Sequence, residues 1–265
     1  MLTQVEYRIG CHNGERLAEA ATVDYPYLAV RARLLRYAGF AGLIFAVSSQ
    51  FSVSGFQMSE IVARHVEREI VLDAAHPSEE WRRARPVSFS FDWQGKNGDP
   101  ERETTVRVLW SEKTLYVQLE CRYRDLYVFD DSDANGRRDQ LWDRDVAEAF
   151  LQPDPSREHF YKEFEVSPNG MWVDLDIFPS GRSDLKSGMQ RSVVLDEKSH
   201  TWSAELAIPI SSLTKQFDPG KIWRVNFYRV EGQKEPRAYL AWQPTRTPQP
   251  NFHVPAAFGK LRFAR

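Results

Sequence analysis

Cysteine is scarce in this sequence. The 265 residues contain only Cys11 and Cys121, and neither has a neighbour at zinc-ligand spacing, which excludes CxxC-type metal and redox sites. Cys121 alternates with Leu115, Val117 and Leu119 on one face of a predicted strand, so we expect it to be a small buried apolar residue. A domain of this size needs no disulfide, so the scarcity of cysteine does not argue against export.

The sequence has no excess of charge of either sign. The formal net charge is −2 and the isoelectric point is near 6.3, which gives no long-range attraction to nucleic acid or to an anionic membrane. Aromatic residues are abundant, at 13% of the chain with eight Trp, ten Tyr and sixteen Phe. Most of these rings suit the core of a large β-sandwich, and we expect about two or three to lie exposed and stack on a flat ligand.

Long hydrophobic runs are absent, and the most apolar segment, residues 40–47, is too short to span a bilayer well. It follows a basic stretch at 31–36 and precedes small residues at 53–55, which are the three parts of a secretory signal. Residues 31–55 are therefore predicted to be a signal peptide or an uncleaved anchor, with a buried helix as the alternative. The expected location is secreted or periplasmic, and the mature chain would begin near Phe56.

Residues 1–30 show no clear period and resemble nothing that follows. We expect them to be an unstructured leader, or a stretch that lies upstream of the true translation start. Val30 stands immediately before the basic stretch and would be an initiating residue if its codon is GTG.

From residue 70 onward, short alternating runs are separated by turn residues at 8–15-residue spacing, with no long amphipathic helix. This pattern predicts an all-β domain over 59–265, an antiparallel β-sandwich or jelly roll of about ten strands. Short helical turns are predicted at 77–83 and 210–214. The predicted strands are 106–109, 114–122, 146–151, 160–166, 171–177, 191–195, 201–208, 222–230, 238–242 and 259–263.

An ordered set of phrases resembles the family 9-like carbohydrate-binding modules, which are DOMON-related β-sandwiches. It includes Trp142-Asp-Arg-Asp145-Val-Ala-Glu148, Phe164-Glu-Val-Ser-Pro-Asn-Gly170 with Asp174, Trp202-Ser-Ala-Glu205 leading to Pro209, Trp223-Arg-Val-Asn226, Trp242, and Phe252-His253 before Phe258-Gly259. The resemblance covers nearly all of 70–265. It implies a non-catalytic, calcium-containing sandwich that holds a sugar, typically at a chain end, between two aromatic rings.

The resemblance assigns roles to individual residues. Trp142 and Glu148 match the first stacking ring and a sugar-contacting carboxylate, and Trp242 matches the second ring. Arg229 and Arg246 are candidates for the sugar-contacting arginine, and Asn169 is a weaker candidate polar contact. Either tryptophan could instead be a core residue.

The alternating pattern supports Glu148 independently. It shares a strand face with Val146 and Phe150, so a carboxylate lies on an apolar side and needs a cation, a donor or a ligand hydroxyl. A structural salt bridge to an arginine is the alternative.

An acidic loop suggests calcium. Asp131, Asp133, Asn135 and Asp139 fit the first part of a D-x-[DN]-x-[DN]-G calcium loop, but the twelfth position is Trp142 rather than the Glu that an EF-hand requires. We therefore expect a different oxygen-rich calcium loop. A solvated acidic turn without metal is the alternative.

Three rival functions remain open. A stand-alone glycosidase would pair Glu148 with Glu163 or Glu165. A haem-binding sandwich of the cytochrome type would need axial ligands from a set of Met and His residues: Met171, Met189, His159 and His253. A surface interaction module with a degenerate sugar site is the third.

The expected partners of a binding module are a saccharide or polysaccharide and a glycoside hydrolase, and the chain is expected to be a monomer.

Overall fold

A computed structural model describes residues 59–133 and 135–265. The leader and signal-peptide predictions for 1–55 lie outside these residues. The described chain forms thirteen strands and one short α-helix, α1 (Ile210–Leu213). The strands are β1 (Glu60–His65), β2 (Val87–Phe89), β3 (Thr104–Trp110), β4 (Thr114–Arg122), β5 (Val146–Gln152), β6 (Tyr161–Val166), β7 (Trp172–Phe178), β8 (Gly181–Asp184), β9 (Gln190–Asp196), β10 (Thr201–Pro209), β11 (Trp223–Glu231), β12 (Ala238–Ala241) and β13 (Gly259–Ala264).

The strands form one curled sheet that packs against itself as a sandwich. Its order is β8-β7-β6-β5-β11-β13-β1-β3-β4-β10-β9, with β12 paired to β11 and β2 paired to β3. Strands β13 and β1 connect the two layers. The pairs β1–β13 and β1–β3 are parallel and all other strand pairs are antiparallel, so the predicted antiparallel sandwich holds except at this junction.

The main core lies between the two layers and follows the strand alternation. On β4, Leu115, Val117, Leu119 and Cys121 are fully buried and point into this core, as the sequence pattern predicted. Strand β5 is buried on both faces: its alanines and Leu151 point into the same core, whereas its other residues point to the opposite face. The candidate site lies on that opposite face.

All ten predicted strands form, and three further strands were missed. Strand β2 has three residues, β8 reads Gly-Arg-Ser-Asp and is largely exposed, and β1 carries charged residues at both ends. These strands are short or rich in polar residues, so their alternation is too weak to identify them from the sequence. Strands β2 and β8 are defined by pairing with the neighbouring strands β3 and β7, and β1 by pairing with the distant β13. The helical turns predicted at 77–83 and 210–214 correspond to a 3-10 turn at Glu79–Arg83 and to α1. Within the described residues, no helix has the length and apolar character needed to cross a membrane.

Candidate functional site

One face of the β5–β6–β7–β11 sheet points away from the main core and carries a second set of packed rings. We call it the outer aromatic face. Buried side chains form its centre, and half-buried rings surround them. The central residues include Val146, Phe150, Tyr161, Val173, Tyr228 and Phe252, and the surrounding rings include Trp93, Trp142 and Tyr239.

Three buried glutamates, the acidic trio, lie on this face: Glu148, Glu163 and Glu165. Glu148 of β5 is directly opposite Glu165 of β6, and Glu163 is two residues from Glu165 on the same strand face. Within the described residues, no group of suitable geometry hydrogen-bonds to either buried carboxyl oxygen of Glu165 or to one buried oxygen of Glu163, although these two side chains interact with each other. The arrangement concentrates unsatisfied polar atoms, which are costly unless a ligand or water engages them.

Burial changes the ionisation of Glu148 and Glu165. Loss of solvation, followed by the charge of Glu163, raises the pKa of Glu148 well above its usual value. Loss of solvation, followed by the charges of Glu148 and Glu163, raises the pKa of Glu165 in the same way. Both groups therefore favour the neutral acid, which can donate a hydrogen bond as well as accept one.

Two arginines flank the trio, and both touch Trp142. The guanidinium of Arg182, on β8, lies 4.3 Å from the centre of the Trp142 ring. Arg237 donates from Nη1 to the Trp142 carbonyl at 3.3 Å and from Nε to the Gly232 carbonyl at 2.9 Å. Their charges act on Glu165 and Glu148 respectively and partly oppose the rise in pKa.

Trp142 is half-buried in a 3-10 turn, Leu141–Asp143, directly before β5. Leu141 is fully buried and anchors the turn in the cluster of the outer aromatic face. Buried Asp145 accepts hydrogen bonds from the main-chain N–H groups of Tyr127 and Gly232, at 2.9 and 2.8 Å. The loop before β5 is thereby attached to the end of β11, which holds Trp142 at the rim of the face.

Sequence reasoning missed a second group of rings on this face. Trp93 and Tyr239 meet edge to face, with ring centres 6.3 Å apart, and the Trp93 indole N–H donates to the Thr247 carbonyl at 2.9 Å. Asp92 holds the turn before them, because its carboxylate accepts from main-chain N–H groups of the turn and from the Asn97 side chain. The sequence signal that could have identified these rings is the pair Asp92-Trp93, which begins a turn that contains glycine and asparagine.

Trp242 does not share this face with Trp142. Its ring packs on the main core, 5.7 Å from the Phe227 ring, whereas Trp142 packs on the outer aromatic face. Gly259 permits this position, because a Cβ there would lie 2.7 Å from the Trp242 ring. The structure therefore does not bring the two tryptophans together as walls of one sugar site.

The three polar candidates lie in three different places. Arg229 is fully buried in the main core, where it pairs with Glu231 at 3.2 Å and lies 5.0 Å from the Trp202 ring. Its position corresponds to a structural ion pair rather than a sugar contact. Arg246 is exposed, with a left-handed φ of 58°, beside a shallow cavity of about 330 Å³. Asn169 is an exposed turn residue whose amide donates to the Phe129 carbonyl at 2.7 Å.

The acidic loop is organised by arginines and main-chain groups. Asp131 pairs with Arg138 at 3.1 Å, and Asp139 pairs with Arg182 at 3.4 Å. Asp133 accepts from the main-chain N–H groups of Asn135 and of Arg137, both at 2.8 Å. Across the described ranges, no three His, Cys, Asp or Glu side chains are grouped as a metal site. Calcium binding by this loop stays a prediction.

Of the four residues of the haem alternative, Met171 and His253 lie on the outer aromatic face and the other two lie elsewhere. Met171 packs on the outer aromatic face and Met189 in the main core, so the two do not serve one site. His159 is exposed, and His253 Nδ1 lies 2.6 Å from the Tyr161 hydroxyl. These positions give the haem alternative no support.

The fold and site together define a β-sandwich with a polar-floored aromatic face, and comparison with known proteins gives its family. The sequence profile of the family "Carbohydrate family 9 binding domain-like" matches residues 72–264. The chain belongs to this family. An extracellular protein of Arthroderma benhamiae is 28% identical over 192 residues, covering 66% of this chain and 85% of that relative.

Solved structures share the fold. A protein from Bacteroides uniformis, described as a candidate carbohydrate-binding protein, has a TM-score of 0.60 at 18% identity and covers 78% of this chain and all of its own. The family 9 module of Caldicellulosiruptor kristjanssonii, solved with cellotriose, has a TM-score of 0.55 at 15% identity and covers 77% of this chain and 93% of its own. The same module is also known with glucose.

Proposed function

We propose that this protein binds a saccharide on the outer aromatic face without cleaving it. One observation carries the proposal: a half-buried Trp142 stands at the rim of a floor of buried, unsatisfied carboxyl groups on that face. A sugar presents a C–H surface that can lie on the indole and hydroxyls that can engage the carboxyl groups. The bound ligands of the Caldicellulosiruptor kristjanssonii module support the class of ligand.

Binding fits the carboxyl groups better than hydrolysis does. A retaining glycosidase needs one ionised nucleophile and one protonated acid, which requires environments that separate the two pKa values. Here the pKa values of Glu148 and Glu165 are both raised, and by the same cause, loss of solvation. These two environments therefore do not distinguish a nucleophile from an acid.

The wider role is proposed from the sequence and the family. We expect a secreted or periplasmic monomer that supports polysaccharide breakdown or uptake, with hydrolysis supplied by a glycoside hydrolase partner. The extracellular description of the Arthroderma benhamiae relative supports the location.

The test is titration calorimetry of the full chain with cellotriose and glucose. Trp142→Ala should weaken binding by roughly ten- to hundred-fold, because aromatic stacking on a ring is worth on the order of 1–3 kcal/mol. Trp142 is partly exposed at the rim, so the melting temperature of this variant should change little.

Trp242→Ala is the matched control. Its ring packs on the main core, so its loss should lower the melting temperature and leave the affinity of the folded protein unchanged. Equal loss of affinity in both variants would contradict the placement of the site, and no binding of any sugar by the unmodified chain would contradict the function.

A further inference from the structure

Arg237 is a half-buried cation at the site. Its Nε and Nη1 donate to two main-chain carbonyls, and its guanidinium also interacts with the Tyr239 hydroxyl. Within the described residues, no group of suitable geometry accepts a hydrogen bond from its buried Nη2. Of the carboxylates in the described ranges, none pairs with its guanidinium within 4.0 Å. The two carbonyl bonds fix the guanidinium beside Trp142, so its orientation is set before any ligand arrives.

Arg182 brings a second positive charge to the same ring. Its guanidinium lies over Trp142 at 4.3 Å, and its side chain is 36% exposed. It belongs to β8, which ends the sheet and pairs only with β7, so its surroundings are open on one side. Asp139, at 3.4 Å, is its ion-pair partner on the surface. A sugar beside Trp142 would therefore have two cations near it, one over the ring and one at the main-chain carbonyl of the same residue.

Two of the three glutamates do not oppose these charges as strongly as their number suggests. Glu148 and Glu165 favour the neutral acid form because they are buried. In that form they act toward a ligand as hydrogen-bond donors and acceptors rather than as anions. The site is therefore rich in donors and carries two arginines, one of them without a carboxylate partner.

We infer that the saccharide bound on the outer aromatic face carries an anionic group, a carboxylate or a sulfate, which pairs with Arg237 while Arg182 supplies the second cation. This inference rests on the proposed function. A half-buried guanidinium attracts such an anion through its charge, and a hydrogen bond between two charged groups is stronger than one between neutral groups.

The test compares three trisaccharides by titration calorimetry with the full chain: trigalacturonate, its methyl ester, and a sulfated galactose trisaccharide. At least one anionic ligand should bind about ten-fold more tightly than the neutral ester, because a hydrogen bond to a charged group is that much stronger. The difference in affinity between the anionic ligand and the neutral ester should become smaller at high salt concentration. Which anionic ligand binds distinguishes carboxylate from sulfate.

Arg237→Gln should abolish the preference for the anionic ligand, and Arg237→Lys should retain part of it, because Lys keeps the charge without the planar fork. Arg107→Gln, on the outer side of the opposite layer, is the control and should retain it fully. Equal affinity for the ester and both anionic ligands would overturn the inference and leave the proposed function intact. Absence of binding to these ligands, to cellotriose and to glucose would overturn both.

Discussion

At the residue scale, the most unusual environments belong to Glu148 and Glu165. Each is almost fully buried on a face where the neighbouring side chains are apolar or also acidic. Their raised pKa values mean that ionisation of these groups opposes folding at neutral pH. These buried carboxyl groups lower the stability of the protein. Such groups are typical of ligand-binding sites.

Replacing Glu165 with Gln should therefore stabilise the ligand-free protein at pH 8. Gln has the same shape and cannot ionise, so the gain should be at least about 1 kcal/mol, since one pH unit of pKa displacement corresponds to about 1.4 kcal/mol. At pH 4 the gain should disappear, because the native carboxyl is already neutral. Urea unfolding at both pH values measures this. Glu120→Gln, at an exposed ion pair, should change stability by less than about 0.5 kcal/mol. Destabilisation by Glu165→Gln at pH 8 would show that the carboxylate has a stabilising partner.

At the element scale, the loop between β4 and β5 decides where Trp142 lies. Asp145 attaches the loop to β11, and arginines from within the loop and from β8 pair with its acidic residues. The loop thus has structural partners in place of metal. Calcium binding by Asp131, Asp133, Asn135 and Asp139 stays a prediction from the sequence. It requires Asp131 and Asp139 to leave their arginine partners and coordinate the ion.

Melting with and without EDTA tests that prediction, because calcium at 100 times its Kd would stabilise the fold by about 2.7 kcal/mol. Asp131→Asn should remove the calcium effect if this loop binds the ion, whereas Asp196→Asn, at the end of β9, should not. An unchanged melting curve together with no metal by elemental analysis would exclude the site.

At the scale of the whole molecule, the buried acids set the pH dependence of stability. Burial raises the pKa of Asp145 to about 6, and those of Glu148 and Glu165 are raised as well. The native state holds these protons more tightly than the unfolded chain, so stability falls as pH rises from about 4 through the native pKa values. Hydrogen bonds lower the pKa of Asp73, Asp154 and Asp196, which destabilises the fold below about pH 4.

The free energy of unfolding should accordingly be highest near pH 5 and lower at pH 8. Urea denaturation across pH 3 to 9 measures the profile. Asp145→Asn should flatten its decline between pH 5 and 7, because the group with a pKa of about 6 is removed. A profile that rises continuously to pH 8 would contradict this account.

Local pattern alone determined much of this protein. Alternation identified ten strands, the buried Cys121 and the placement of Glu148 on an otherwise apolar face, because the side-chain period of a strand depends only on its own residues. The tertiary structure determined which side chains lie next to one another. It placed Glu165 opposite Glu148, put Arg182 and Arg237 against Trp142, and turned Trp242 into the main core. These arrangements depend on which distant strands pair and which face each layer covers, and no local period encodes either.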